Sequence, residues 1–518
     1  MGGQNRRDFL KSTGSALLSS GVLAPLKRLP AAQAAENGQS SEARPNILLF
    51  FPDQFRYDWV TGNSNNIPVH TPNLDRMANQ GVWFRKAIVP SPLCAPSRAC
   101  LAAGKEYDRC GVPSNRADYP LTQTTLYSLL RDNGYHVAGC GKFDLHKATE
   151  DWGLDGKRLL KQWGFSDGID NAGKMDAVNS GAHAPHDPYM AYLYRRGLAV
   201  EHIADMKKRT GIGPGGCPRS YSVTSPTPLP EEAYCDNWVA NNGLELMKHF
   251  PKGKPWYLAV NFTGPHNPQD ITARMERLVR GRPFPQPNGC KVCSPETQVL
   301  TRENYTAMVE NIDRWIGIYL DRLRERGELE NTLVVFCSDH GEMLGDHNAW
   351  GKTLPYQPSV SVPLMIAGPG VTKLGSSNAV VSTMDLAATF LDYAGARRPA
   401  DMDSLSLRPV LEGKTNAHRE AVMSGLGRWR MVFDGRYKLI RGYNPENRSW
   451  ARGWDQRRFV EPANEPLLLF DLEADPLENV NLIGKAATPA RKLSSFLPQG
   501  MNGESDRLAP MSSPGQLG

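Results

Sequence analysis

Five consecutive residues, Cys94-Ala95-Pro96-Ser97-Arg98, bring a thiol, a proline, a small hydroxyl and a fixed cation into one turn of chain. Pro96 suits the first turn of a helix, where its missing N–H costs nothing, and helix formers continue from Ser97 to Gly104. The sequence therefore predicts a helix with Cys94 at its N-terminus. There the positive end of the dipole and the guanidinium of Arg98, one turn along, lower a thiol's pKa or hold a negatively charged reacting group. An isolated cysteine so placed is more often a buried structural residue, so the weight of the reading rests on the other groups around it.

Those groups sit at the ends of apolar runs. Residues 46–51 form a short continuous apolar stretch that ends at Pro52-Asp53-Gln54, and residues 136–140 run into Gly141-Lys142-Phe143-Asp144-Leu145-His146. Residues 256–261 end in Thr263-Gly264-Pro265-His266, and residues 332–337 in Ser338-Asp339-His340-Gly341. Such runs are the pattern of strands buried on both faces of a parallel sheet. Each delivers polar residues at its carboxyl end, the edge where ligands bind in open α/β sheets. The repeated pattern points to an enzyme. Asp53 and Asp339, at the ends of two parallel strands, are placed to converge on a hard divalent cation, with Gln54 and His340 completing the shell.

Cys-x-Pro-Ser-Arg also resembles, at every fixed position, the modification signature of the type I sulfatases of the alkaline-phosphatase superfamily. The usual continuation is Leu-Thr-Gly-Arg, whereas this chain has Leu101-Ala102-Ala103-Gly104-Lys105. The resemblance extends from residue 46 to about 482 with its motifs in family order. It implies that Cys94 is converted by a separate maturation enzyme to formylglycine (3-oxoalanine), whose hydrate is the nucleophile and a metal ligand. It implies one divalent metal on Asp53, Gln54, Cys94, Asp339 and His340; calcium leads, and the nitrogen of His340 leaves manganese and magnesium open. Arg98 would fix the diol, while Lys142, His266 and Lys352, the last within Trp350-Gly351-Lys352-Thr353, match the motifs that contact sulfate and protonate the leaving group. One motif departs. The common Gly-Lys-x-His reads here as Gly141-Lys142-Phe143-Asp144, so either His146 replaces the imidazole or Asp144 shares its role with His183 or His186.

The fold expected is α/β: a large, mostly parallel sheet flanked by helices, alkaline-phosphatase-like, with a small C-terminal antiparallel subdomain. A helix is predicted over 73–80, another over 121–131, and a long one over 305–326 with Ile312, Trp315, Ile316, Tyr319 and Leu323 on one face. Residues 150–250 are rich in Gly, Pro, His and Trp without a clear period and read as insertions over the active-site face. Asp434-Gly435 between two strand-like runs is a hairpin signal. The Phe470-Asp471-Leu472 phrase closing with Asp475-Pro476 resembles the end of the sulfatase C-terminal subdomain. The organisation expected is a signal segment over 1–34, a catalytic domain over 45–404, an α+β subdomain over 405–495 and a disordered tail over 496–518.

The 518 residues carry a formal charge of +6. Residues 1–34 hold five Lys/Arg and one acid; removing them leaves 55 basic against 53 acidic residues, no global argument for nucleic acid or a membrane surface. Arg6-Arg7-Asp8-Phe9-Leu10-Lys11 looks like a twin-arginine export motif, followed by an apolar run too short to span a bilayer and by Ala32-Gln33-Ala34 as a cleavage pattern. Export through the twin-arginine machinery to the periplasm or beyond is the expectation, with a sulfated small molecule or carbohydrate as partner. Nine cysteines fit that compartment. Cys290/Cys293 and the Cys217/Cys235 region read as disulfide loops, since no second pair supports zinc at Cys290 and Cys293. Aromatic and basic residues at 428–430 and 450–458 are candidates for gripping a polyanionic sugar. The alternatives are a phosphonate or phosphodiester hydrolase of the same superfamily and an inactive glycan-binding relative.

Overall fold

Eight strands form the sheet that carries the site: β1 (Asn46–Phe50), β2 (Val82–Ile88), β3 (His136–Gly141), β4 (Asp167–Asp170), β5 (Trp256–Asn261), β6 (Thr332–Phe336), β7 (Leu364–Ala367) and β8 (Gly375–Ser382). This is a computed structural model and describes residues 44–63, 67–445 and 467–498. The order is β4-β3-β5-β1-β6-β7-β2-β8. Strand β7 runs antiparallel to β6 and β2; the other pairings are parallel. The fold is thus a mixed α/β layer structure with a large, mostly parallel sheet.

Period-two alternation explains how β1 is buried on both faces. Ile47 and Leu49 enter one apolar cluster with Ala99, Leu126 and Phe390, contributed by the helices α2 (Cys94–Ala103), α3 (Leu126–Asp132) and α6 (Asp385–Tyr393). Leu48 and Phe50 enter the other, with Val239 and Met247 of α4 (Cys235–Lys248) and Ile312, Ile316 and Tyr319 of α5 (Pro295–Glu325). Helix α1 (Pro72–Gln80) lies close to the reading from sequence. The one-sided stripe expected on α5 is buried throughout, but the helix starts ten residues earlier, at Pro295, where Ser294 caps it by accepting from the N–H of Thr297.

Three expectations are corrected. Helix α3 begins at Leu126, not 121, because the Thr125 side chain accepts from the N–H of Ser128 and sets the cap there. Residues 150–250 are not only surface insertion: they supply β4 and α4, which belong to the sheet and its flank. The period of α4 is masked because its buried face carries Asp236, Asn237 and Gly243. A Cβ on Gly243 would collide with the Tyr319 hydroxyl, so the close approach of α4 to α5 requires glycine. The disulfide joins Cys217 to Cys293, while Cys235 and Cys290 are unbridged. Cys235 is buried at the start of α4, whereas Cys217 and Cys293 pack together with Tyr221 and Trp350 where two distant segments meet. Spatial packing across 76 residues, and not nearness in sequence, selects the pair.

The Asp-Gly hairpin forms as expected, within a separate antiparallel sheet ordered β12-β11-β10-β9, made of β9 (Val422–Leu426), β10 (Trp429–Phe433), β11 (Tyr437–Arg441) and β12 (Leu468–Asp471). Trp429, Met431 and Phe433 join the main core, and Val432, Leu439 and Leu469 pack on Leu493 and Leu497. Two residues expected to grip a sugar are structural: Trp429 is buried and donates to Thr353 O, and Arg430 pairs with Asp108. The export motif, the stretch 450–458 and most of the expected tail lie outside the described residues. Among the described residues no helix is long and apolar enough to cross a membrane.

Candidate active site

Neighbouring strands β3, β5, β1 and β6 each end in a turn that aims polar groups at one place. Register Phe50↔Phe336 puts the ends of β1 and β6 side by side, so Asp53 and Asp339 arrive together. Gln54 adopts a left-handed φ of 73°, uncommon for a residue with a side chain, and its backbone N–H donates to Asp339 Oδ1 at 3.0 Å. From β3, Gly141 (φ 97°) brings the chain so close to β5 that a Cβ would collide with Asn261 O, and the following Lys142 is turned into the site. Cys94 opens α2 as the sequence predicts; Asn115 Oδ1 accepts from the N–H of Ala95, and the Ser97 hydroxyl donates to Asp339 O.

Asp53, Cys94, Asp339 and His340 are buried, and one ligand atom from each lies within 4.8 Å of the others. Cys94 Sγ is 3.3 Å from His340 Nε2, 3.0 Å from Lys352 Nζ and 3.8 Å from Asp53 Oδ1. Arg98 donates from Nε to Asp339 Oδ2 at 2.9 Å and reaches Asp53 Oδ2 at 3.5 Å. Lys142 Nζ pairs with Asp53 Oδ2 and Asp144 Oδ2, and Lys352 Nζ donates to Gln54 Oε1 at 2.7 Å. Two carboxylates and an imidazole nitrogen therefore face one another beside the Cys94 thiol among three cations, and the Gln54 amide oxygen sits on one of those cations, Lys352. That donor set fits a divalent ion of the calcium, magnesium or manganese type.

The charges shape the acidities. Burial opposes ionisation of Asp53, yet Lys142, Lys352, His266 and His340 hold its carboxyl well below the usual range. Burial and then Asp53 push the Cys94 thiol up; Lys142, Lys352 and His340 outweigh them and bring it down to about 6. Burial, with the like charge of Asp53, raises Asp339 against the pull of Arg98. His266 is half-buried, its Nδ1 against Asn267 O; burial, then the charge of Lys352, lowers it well below the normal imidazole against the pull of Asp53. Shifts of this kind gather at functional sites, where burial and close charges are arranged together.

The structure gathers Asp53, Gln54, Cys94, Arg98, Lys142, His266, Asp339, His340 and Lys352, but it does not bring His146 among them. The His146 ring lies between Trp152 and Trp163, at centroid distances of 5.4 and 5.2 Å, with Nδ1 3.5 Å from Asp170 Oδ2. His183 and His186 are exposed. At the departing motif position, Asp144 (φ 52°) is clasped by Lys142 and by Lys147, whose Nζ also pairs with Asp176 at 2.6 Å. Residues missed in the sequence are Lys147, Glu342 and Tyr221. Glu342 has a sequence signal, following the motif at Ser338-Asp339-His340-Gly341. Tyr221 has none, since it comes from an insertion and reaches the site only through the fold.

A helix N-terminus bearing a buried thiol, a buried acid pair and surrounding cations meet at the carboxyl edge of a mostly parallel sheet, where α/β folds bind their ligands. Comparison with known proteins gives the family. The family model described as Sulfatase matches residues 45–396, and one described as N-sulphoglucosamine sulphohydrolase, C-terminal, matches residues 345–499. The chain belongs to the sulfatase family of the alkaline-phosphatase superfamily. It is 27% identical over 476 residues to an arylsulfatase of Clostridium perfringens, covering 85% of this chain and 90% of that one. It is 27% identical over 532 residues to an N-acetylglucosamine-6-O-sulfatase of Bacteroides thetaiotaomicron, covering 92% and 90%. A solved structure in complex with its substrate D-glucosamine-2-N,6-O-disulfate superposes with a TM-score of 0.66 at 22% identity, covering 87% of this chain and 96% of that one, and shares its fold.

Proposed function

We propose that this sulfatase releases inorganic sulfate from a sulfated carbohydrate, using formylglycine made from Cys94 and one divalent cation held by Asp53, Gln54, Asp339 and His340. The observation that supports it is the convergence of Cys94 with Lys352, His340 and Asp53 inside a buried, cation-lined cluster. Once formed at position 94, the hydrated aldehyde would supply one hydroxyl to attack sulfur as the S–O bond to the substrate alcohol breaks, and a second whose deprotonation would expel sulfate as the carbonyl re-forms, a step closed to a thiol. The cation, calcium by preference, supplies positive charge to the sulfuryl oxygens.

The chain's own residues do the rest. Arg98, locked onto Asp339, fixes position 94 at the helix N-terminus and balances charge there. Lys142 and Lys352 flank Asp53 and are placed to hold sulfuryl oxygens as negative charge builds, a role worth about 10²–10³ in kcat for a well-placed donor. His266 turns Nδ1 to Asn267 O, a carbonyl that only accepts, so Nε2 faces the leaving oxygen as an acceptor in the neutral ring and as the proton donor once the ring is protonated. Release to the periplasm or beyond through the segment bearing Arg6-Arg7 completes the reading.

The carbohydrate assignment draws on the N-acetylglucosamine-6-O-sulfatase relative. Ion chromatography of sulfate released from a panel of sulfated mono- and disaccharides, with a phosphodiester and a phosphonate monoester alongside, tests it. Sulfate release from at least one aminosugar sulfate is expected. Turnover confined to the phosphorus esters would replace the reading with that of a phosphonate or phosphodiester hydrolase.

A further inference from the structure

Glu342 is fully buried, and every acceptor position of its carboxylate is taken. Oε1 receives the N–H groups of Leu344 at 2.9 Å and Gly351 at 2.6 Å; Oε2 receives the Tyr221 hydroxyl at 2.8 Å and the Gln54 amide Nε2. A carboxylate in this setting only accepts, so the Gln54 amide must turn its NH2 to Glu342 and its oxygen the other way, to Lys352 Nζ. Tyr221 is held for this contact by packing on Trp350 (4.6 Å between centroids) beside the Cys217–Cys293 disulfide.

We infer that Glu342 is a positioning residue that fixes the amide of Gln54, so that a neutral side chain at position 54 presents oxygen, and not nitrogen, to Lys352 and the divalent cation; this rests on the metal reading above. The contact explains why an amide serves here: a carboxylate at position 54 would face the carboxylate of Glu342, and the pair could keep the contact only by taking up a proton. It also predicts what a change at 342 does. In Glu342→Gln the oxygen of the new amide stays on the two backbone N–H groups of Leu344 and Gly351, which can only donate. Its NH2 then opposes the NH2 of Gln54. The Gln54 amide relieves that clash by flipping, which turns a nitrogen donor toward Lys352 and the cation.

The test is a compensation cycle: wild type, Glu342→Gln, Gln54→Glu and the combined variant. Chelator-stripped protein is titrated calorimetrically with CaCl2 and MnCl2, and the melting temperature of the metal-free protein is taken alongside. Glu342→Gln is expected to weaken binding about tenfold or more, the range for outer-shell partners of a metal ligand, and Gln54→Glu, whose added ligand charge is opposed by the Glu342 carboxylate, is expected to gain far less than the same change made on top of Glu342→Gln. In the combined variant the carboxylate introduced at position 54 accepts from the amide introduced at position 342 and again offers an oxygen to the cation. Affinity is then expected back within about threefold of wild type, a coupling that a purely structural Glu342 would not give. Equal affinity in wild type and Glu342→Gln overturns the inference, as does a combined variant no tighter than Glu342→Gln. If Glu342→Gln alone does not fold, a combined variant that folds and binds still supports it, and one that fails overturns it. Wild-type protein that binds neither cation overturns the metal reading and this assignment with it, whereas unaffected binding across the cycle overturns this assignment alone.

Discussion

Arg98 holds the two acids of the site in place, and its own position depends on them. Its guanidinium reaches Asp339, Asp53 and Lys142 O from one turn inside α2, and the whole group is buried. Truncation to Arg98→Met leaves Asp339 buried without its cation. That is expected to cost about 3–5 kcal/mol, the range for breaking a buried pair on one side, read as a lower denaturation midpoint. Unchanged stability would mean that the pair is not formed. Lys352 touches both Cys94 and Gln54, so Lys352→Ala is expected to lower kcat by about 100-fold or more while the protein still folds. His146 behaves differently. Packed between two indoles and remote from the described contacts of Cys94, it is expected to tolerate His146→Phe with turnover intact. A large loss of turnover in folded His146→Phe protein would restore it to the catalytic set.

Elements place these residues, and their legibility differs for physical reasons. Strands β1, β3, β5 and β6 are readable because burial on both faces demands uninterrupted apolar runs, and the turns after them carry the chemistry. Helix α2 is readable because Pro96 and Gly104 punctuate it. Helix α4 is not, because its buried face carries Asp236, whose carboxylate accepts from the N–H groups of Thr263 and Gly264 and so shapes the turn before His266. A polar residue working at a helix start looks like a loop in sequence. The cysteine pairing is hidden for another reason, since Cys217 and Cys293 meet only once two insertions pack on Trp350. Replacing both by serine removes a cross-link across 76 residues and is expected to cost about 2–5 kcal/mol, measured by chemical denaturation. Because that loop also presents Tyr221 to Glu342, the same variant is expected to weaken metal binding; a variant with lower stability and undiminished metal affinity would separate the two roles.

At the scale of the whole molecule, two apolar layers on either side of one sheet leave its carboxyl edge as the place where buried charge gathers. Asp53 and Asp339 repel each other there, and a bound divalent ion relieves that repulsion only in the folded chain. Chelation is therefore expected to lower the melting temperature, and saturating calcium to raise it by the equivalent of about 3 kcal/mol at a hundredfold excess over Kd. A melting temperature indifferent to chelator and to calcium would contradict the metal site.

The proposed chemistry depends above all on position 94. Mass spectrometry of the tryptic peptide spanning residues 87–98, from protein made in its native host, measures it directly. The prediction is an aldehyde, or its hydrate, in place of the Cys94 thiol. An intact thiol throughout the active protein would contradict the formylglycine mechanism and require another nucleophile for the reaction.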